Sequence, residues 1–513
     1  MNRFTLRSAL VLAAILLLAG ATTSFAQFTG GAVSVTAATT GVTPLLRSEG
    51  VTEAAGDVTL YTAAPTSGGA YNNAYANGGP AAATLTISLT YNGAIGNKSV
   101  GPVVTGAASC AGSCALANGT AIKAATTPGI SVTPANFVGF GAGTTMSWVA
   151  AGNTLTITIS VPSAITLTFP VVSTQFLTIH GVRVNATGFS AGGYVSTLVG
   201  AGSSTATYPF TVAFTFINPL PVGAVQAGLD KTNTPTRVLA SGTGLATGSG
   251  TTSVITTATN FAVCNIYAIP SSTALSRFTS TYNPAGVVGV RIVEGYPGSF
   301  TTTLQETNKS DSEVNNGTNF KITFTNVPAS MVVAYPQALY GRSAELTMLG
   351  TAGYATPWAD GGMLTLVGGT GTDAGTYEYK AGGSTITVLY QTAYANTTTT
   401  PGRYYIPFVF YKSGTALADS GVSISVALTI APTTIDTSSY VVRFVDSGIT
   451  GTVTTVACAT DILFPFVSNK AGFDAGIAVS NAGQDHLGTS TQTGTCALYF
   501  FDGTTSGKTP TYT

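Results

Sequence analysis

The chain of 513 residues carries 19 basic and 19 acidic side chains, and charged residues make up only 7% of it, against roughly 25% in an average soluble protein. Without a basic excess it cannot displace counterions from a phosphate backbone, which excludes an electrostatic nucleic-acid binder. Its surface must instead be covered by Thr, Ser, Asn and Gly, and such a surface has little charge repulsion to oppose lateral association.

At the N-terminus, Arg3 and Arg7 precede an apolar run from Ala9 to Ala19, and Ser24-Phe25-Ala26 stands before Gln27. A basic start, a short apolar middle and small residues before the cut predict a signal peptide over residues 1–26. The mature chain then begins at Gln27 and is secreted, to the extracellular space or the cell surface. A lipoprotein signal needs Cys where Ala21 stands, so no lipid anchor is expected. Nor does any later apolar stretch reach the ~18 residues of a membrane-spanning helix.

Next come Arg47, Glu49, Glu53 and Asp57, the densest charge cluster in a charge-poor chain. Their even separations predict one face of a shared strand, as a solvated or paired edge that discourages edge-to-edge pairing. The Tyr71-Asn-Asn-Ala-Tyr75 loop offers aromatic and polar groups that could stack on a sugar. In Thr84 to Tyr91, Leu85, Ile87, Leu89 and Tyr91 fall on one face and hydroxyls on the other, the period-2 pattern of a half-buried strand. The same alternation recurs in Thr154–Val161, Ile165–Phe169, Phe320–Thr325 and Val422–Ile430. Gly, Pro, Asn and Ser clusters separate these runs and make turns. No segment predicts an amphipathic helix of useful length.

Cysteines stand at 110, 114, 264, 458 and 496. In an exported chain disulfides can persist, and the expected pairs are Cys458 with Cys496 and Cys110 with Cys114, which leaves Cys264 over. Zinc at Cys110 and Cys114 is the rival reading, but no second Cys pair or nearby His follows. Of the two histidines, His180 reads as a packed or edge residue of a strand and His486 as part of a turn with Asp485. Gly188-Phe189-Ser190-Ala191-Gly192 fits the nucleophile elbow of hydrolases. That chemistry needs a helix after the serine, and a strand-like run follows instead, so a turn is expected.

Asp230 to Pro235 and Ser241 to Gly250 read as a linker or long loop. Asp311-Ser-Glu313-Val-Asn315 departs from the EF-hand pattern, which needs Gly and Glu where Asn316 and Ile322 stand; only a looser oxygen-ligand site would be open to it. Trp358 and Asp360 are a second candidate contact for a glycan. Asp373-Ala-Gly375-Thr-Tyr377-Glu-Tyr379 looks like the tyrosine corner of immunoglobulin-type sandwiches. The strands ending at Pro219 and Pro328 echo each other, as related domains or a shared turn would.

Together these features predict an all-β protein of several antiparallel β-sandwich, immunoglobulin-like domains in series. The expected boundaries are a first domain over 27–223, a linker over 224–250, a middle region over 251–432 divided near 340, and a C-terminal domain over 433–513 that is cut short. The Pro-containing breaks count against a transmembrane barrel.

The segment Phe464 to Asn481, with Cys458 before it and Cys496 after it, resembles a C-terminal domain of uncharacterised Gly- and Thr-rich bacterial envelope proteins. Leu46 to Leu60 and Val290 to Pro297 are similar to other parts of the same proteins. That resemblance implies an exported β-sandwich with no assigned activity and carries over no catalytic residues; separately, no cofactor or metal is expected. The functional expectation is a structural or adhesive envelope protein, meeting other envelope components, itself or a glycan. A carbohydrate-binding accessory role is the alternative, and a glycoside hydrolase, which would need two facing carboxylates, stands third.

Overall fold

The computed structural model describes residues 33–39, 42–63, 74–76, 83–96, 103–106, 122–124, 127–136, 144–162, 166–168, 170–203, 212–214, 219–230, 238–240, 258–263, 266, 287–309, 314–341, 361–368, 372–373, 377–414, 419–433, 442–446 and 448–457. They form an all-β protein of several separate sheets, with one short helix among the described residues.

The first unit pairs two sheets. A six-stranded sheet runs β16 (Val212–Phe214), β1 (Val33–Thr39), β4 (Val58–Ala63), β13 (Gln175–His180), β9 (Thr127–Pro134), β8 (Ile122–Ala124). A seven-stranded sheet runs β2 (Leu45–Arg47), β17 (Leu220–Gln226), β15 (Tyr194–Ser203), β6 (Ala83–Tyr91), β11 (Thr154–Val161), β10 (Thr145–Ala151), β7 (Val103–Gly106). Two small ladders flank them: β12 (Thr166–Thr168) on β5 (Ala74–Ala76), and β14 (Arg183–Val184) on β3 (Glu53–Ala54).

Alternation explains the sandwich. In the register of β10, β11 and β6, Trp148 stands opposite Ile157 and Ile157 opposite Ile87, while Leu155 meets Leu89 and Ile159 meets Leu85. These buried rungs join Val58 and Leu60 of β4, Val132 of β9 and Ile179 of β13 in one core, so the inner faces of the two sheets pack on each other. On the outer face Thr154, Thr156 and Thr158 meet Thr90, Ser88 and Thr86.

The second unit repeats the plan. Its six-stranded sheet runs β18 (Val238–Ala240), β20 (Val287–Val293), β28 (Arg403–Lys412), β22 (Met331–Pro336), β26 (Tyr377–Ala381), β25 (Thr372–Asp373). Its seven-stranded sheet runs β19 (Ala258–Ala262), β30 (Ile449–Val456), β29 (Ser423–Ala431), β21 (Asn319–Thr325), β27 (Ile386–Tyr394), β24 (Met363–Gly368), β23 (Ala338–Tyr340). Phe320, Ile322 and Phe324 stand opposite Tyr390, Val388 and Ile386 on one side and Ile430, Leu428 and Val426 on the other. They share a core with Ile406, Phe408 and Phe410 of the facing sheet.

The two seven-stranded sheets have the same topology. In each, the first strand of the sheet lies at an edge, parallel to the last; the last pairs with the sixth, the sixth with the second, the second with the fifth, the fifth with the fourth and the fourth with the third, all antiparallel. A side chain marks the correspondence. Asn92, next after β6, bonds the Tyr194 carbonyl and the Ser196 N–H at the start of β15, and Asn326, next after β21, bonds the Ser423 carbonyl at the start of β29. The echo between the strands ending at Pro219 and Pro328 has another origin, because β16 and β21 belong to different kinds of sheet and occupy unrelated positions.

Several expected boundaries differ from these ladders. β17 crosses residue 223, and β18 places part of the expected linker in a sheet against β20. Residues on both sides of 340 share one core. β29 and β30 pair across 432, so the described residues up to 457 complete the second sandwich instead of opening a third. Asp373 to Tyr379 joins the paired β25 and β26 of one sheet, where a tyrosine corner would link two.

The inward and outward positions of β11 should respond differently to truncation. Ile157→Ala is expected to cost about 2–5 kcal/mol of unfolding free energy through loss of burial and a residual cavity. Thr156→Ala, on the outer face, should stay within about 0.5 kcal/mol. Urea unfolding of both variants checks the pair; equal losses would contradict the assignment of faces.

Candidate functional site

Charge is scarce in this sequence, and the structure gathers much of it where the two sandwiches meet. Arg47 closes β2 and is 1% exposed; Arg183, on β14, is also 1% exposed; Glu306 is fully buried. Glu306 lies on the helix α1 (Thr303–Asn308) of the second unit. A capping box explains why so short a helix forms: the Thr302 hydroxyl accepts from the Gln305 N–H, and the Gln305 side chain accepts from the Thr302 N–H.

The Arg47 guanidinium distributes its donors across the junction. Nε donates to Glu53 Oε1 at 2.8 Å and Nη2 to Glu306 Oε1 at 3.0 Å. Nη1 reaches the Ser299 carbonyl at 3.2 Å and the hydroxyls of Thr301 and Thr318 at 3.1 and 2.8 Å. Its plane lies over Phe444, 4.8 Å from the ring centroid. Arg183 Nη1 donates to the Thr52 carbonyl, while Nη2 donates to the Glu306 carbonyl at 2.9 Å and lies 2.9 Å from Glu306 Oε2. Lys309 adds a half-exposed contact to Glu306 Oε1 at 3.3 Å.

Burial opposes the charge on Arg47, but Glu53 and Glu306 outweigh it and raise the guanidinium above its ordinary range. Burial likewise favours neutral Glu306, yet Lys309, Arg183 and Arg47 hold its carboxyl well below the usual carboxylate range. At neutral pH the network is therefore ionised and internally paired.

Backbone bonds tie the same junction. Gly50 bridges Phe444, Val51 N–H donates to the Arg443 carbonyl, and Val445 N–H donates to the Glu49 carbonyl. Beyond β17 the chain keeps pairing: Leu229 bridges Glu294, Gly295 N–H donates to the Gly228 carbonyl, and Asp230 N–H to the Val293 carbonyl. The backbones approach so closely that a Cβ on Gly295 would stand 1.8 Å from the Ala227 oxygen, which only glycine permits. Glu49 accepts from the Gly228 N–H at 2.7 Å. Glu294 accepts from Asn396 Nδ2 at 2.6 Å and the Gly402 N–H at 2.8 Å, and burial, the largest influence, still pushes its carboxyl up.

The sequence-based expectations fare unevenly. Arg47, Glu49 and Glu53 are buried, Arg47 and Glu49 bonded across the junction and Glu53 to Arg47, where a solvated or paired strand edge was expected; the reason is that β2 ends at Arg47 and a turn carries Glu49 inward. Asp57 instead pairs with His180, its Oδ1 2.6 Å from Nδ1. Ser190 lies in an exposed turn followed by β15, not by a helix. Among the described residues no three His, Cys, Asp or Glu side chains converge on a metal-sized site, and no helix is long and apolar enough to cross a membrane. Tyr75 stands in β5 opposite Leu167. Tyr71, Trp358, Asp360, Cys110, Cys114, Cys264, Cys458, Cys496, His486, the signal segment, most of the Asp311 loop and the segment Phe464 to Asn481 lie outside the described residues.

Glu306→Gln should destabilise the protein at neutral pH by about 3–5 kcal/mol, because two buried guanidinium groups lose their shared counter-charge. The folded-state carboxyl is depressed, so its contribution is complete above the ordinary carboxylate range and lost as pH falls through the depressed folded value. Denaturation followed from pH 7 down into the acid limb should therefore show a shallower decline in Glu306→Gln than in the wild type. Parallel acid limbs would show that the carboxylate does not supply this stability.

No family model matches the chain, and no curated protein matches it. Solved structures give distant likenesses. One is from a structure of manganese lipoxygenase of Gaeumannomyces graminis with partial zonadhesin of Komagataella pastoris, at 11% identity and a TM-score of 0.19 over 83% of this chain and 97% of that one. The collagen adhesin of S. aureus aligns at 9% identity and a TM-score of 0.16 over 83% and 96%. The N-terminal domain of the Streptococcus gordonii adhesin Sgo0707 aligns at 6% identity and a TM-score of 0.21 over 78% and 60%. Superpositions this loose carry no argument, and the all-β assignment stands on the ladders and the two shared cores.

Proposed function

We propose that this chain is an exported structural or adhesive protein of the bacterial cell envelope, in which two sandwiches act as one stiff unit that holds contact surfaces away from the cell. The observation that carries the reading is the junction. Domains joined by a simple linker move relative to each other by default, whereas here Arg47 and Arg183 of one sandwich share the buried Glu306 of the other and backbone bonds run across beside them. Stiffness of that kind serves a spacer. The uncharged hydroxyl row that β6 and β11 present suits contact with other envelope components, with further copies or with a glycan, without charge repulsion. Export is supported by the N-terminal sequence, and kinship with Gly- and Thr-rich envelope proteins by Phe464 to Asn481. The reading assigns the chain no catalytic step.

Fractionation of native cells with salt and chelator washes, followed by immunodetection, tests it. Retention on the cell surface in large assemblies is expected. Recovery as a freely secreted monomer would overturn the structural role and direct attention to soluble ligands.

A further inference from the structure

We propose that each sandwich resists tension along the chain through a clamp of two parallel strands, β2 with β17 in the first unit and β19 with β30 in the second. When a chain is stretched, the force enters one strand at its start and leaves the other at its end. In an antiparallel pair those two points lie side by side, and pulling opens the ladder one rung at a time. In a parallel pair they lie at opposite ends of the paired stretch. The force then runs along the strands, and the evenly spaced bonds of the ladder must shear together.

The register of the first unit has this geometry. Tension enters β2 at Leu45, which stands opposite Ala224, and leaves β17 at Gln226, which stands opposite Arg47. The Ala224 N–H donates to the Pro44 carbonyl at 2.9 Å and the Ser48 N–H to the Gln226 carbonyl at 2.8 Å, one bond beyond each end of β2. Between them Leu46 pairs with Val225, and both side chains are buried, so sliding also drags them through the core. The second unit has the longer clamp. Its register is unbroken from Ala258↔Thr452 to Ala262↔Val456, so the chain again enters and leaves at opposite ends. One such pair could be incidental to a fold. Two of them, at the same place in two units joined in series, set both units in the same orientation to the pull.

The strands β1 and β18 precede the clamps in the chain and are pulled first; when they give way, the tension passes to β2 and β19. The joint continues the line. Arg47 is the last rung of the first clamp and also bonds Glu306 of the second unit. The backbone leaving β17 is pinned there as well, by the Leu229 bridge to Glu294 and the Gly295 N–H to the Gly228 carbonyl. The role in the cell rests on the envelope reading above, since a freely diffusing monomer is never stretched; the mechanical property does not.

Single-molecule stretching of the full-length mature chain, held by its two ends, tests the clamps. Two dominant events are expected, each releasing roughly 60–70 nm, the contour length of chain between the two strands of a clamp. The reference is the same chain pulled through handles at Ala191 and Gln226, or at Ser420 and Ala457, all of them exposed. These pull the start of β15 or β29 against the end of β17 or β30. Both pairs are antiparallel, with Tyr194 opposite Ala224 and Ser423 opposite Thr454, so the pulled ends lie together and unzip. End-to-end events should need about twice the force of the reference or more, because forced unfolding follows the unfolding barrier and several rungs must break in one step. End-to-end events at equal or lower force overturn the inference. A chain that resists tension in this way, yet is recovered from cells as a free monomer, leaves the clamps standing and overturns the envelope reading.

Discussion

Glu306 is the point on which the arrangement of the two sandwiches depends. Its carboxylate is fully buried, and an ion in that position is tolerable only when paired. Two of its three cationic partners, Arg47 and Arg183, come from the other sandwich. Rotation of one sandwich against the other would leave two guanidinium groups and a carboxylate in a low-dielectric environment with nothing to replace their partners. Hydrophobic contact alone would allow several orientations of nearly equal energy. The fork of Arg47, reaching Glu53, Glu306 and two threonine hydroxyls, allows one.

The repeated topology gives the junction its setting. In both sandwiches the first strand of the larger sheet lies parallel beside the last, at one edge of that sheet. In the first unit that edge is where the chain passes on: Glu49 and Gly228 stand just beyond it, and Ala227 to Asp230 run against Val293 to Gly295.

Much of this fold was legible in the sequence, because one period governs it. Thr154–Val161 is a strand with its expected limits, and Phe320–Thr325 and Val422–Ile430 fall within a residue of theirs. The hydroxyl-and-aliphatic alternation leaves no other face to bury. The small helix also left a mark, the Thr302-x-x-Gln305 capping box, although its six residues are too few to show an amphipathic period. The junction could not be read in the same way. Arg47 meets residues from Ser299 to Glu306 and Thr318, about half the chain away, and nothing in the local spacing of Arg47, Glu49 and Glu53 distinguishes a buried cluster from a solvated edge. Burial of a charge is a property of its partners, and those partners were distant.

The scarcity of charge and its concentration at the junction have a common physical basis. A sheet face tiled with threonine and serine is wetted by hydroxyls and needs no ions, as the outer row of β6 against β11 shows. Such a face is also undiscriminating, since neither a neutral partner nor another copy is repelled from it. Specific geometry inside the chain must then come from elsewhere, and a few buried ion pairs supply it, because they are strongly orientation-dependent and costly to leave unpaired. The hydroxyl row of β6 and β11 and the joint rich in charge divide the work: the joint fixes how the sandwiches point, and the row needs no ions to be wetted.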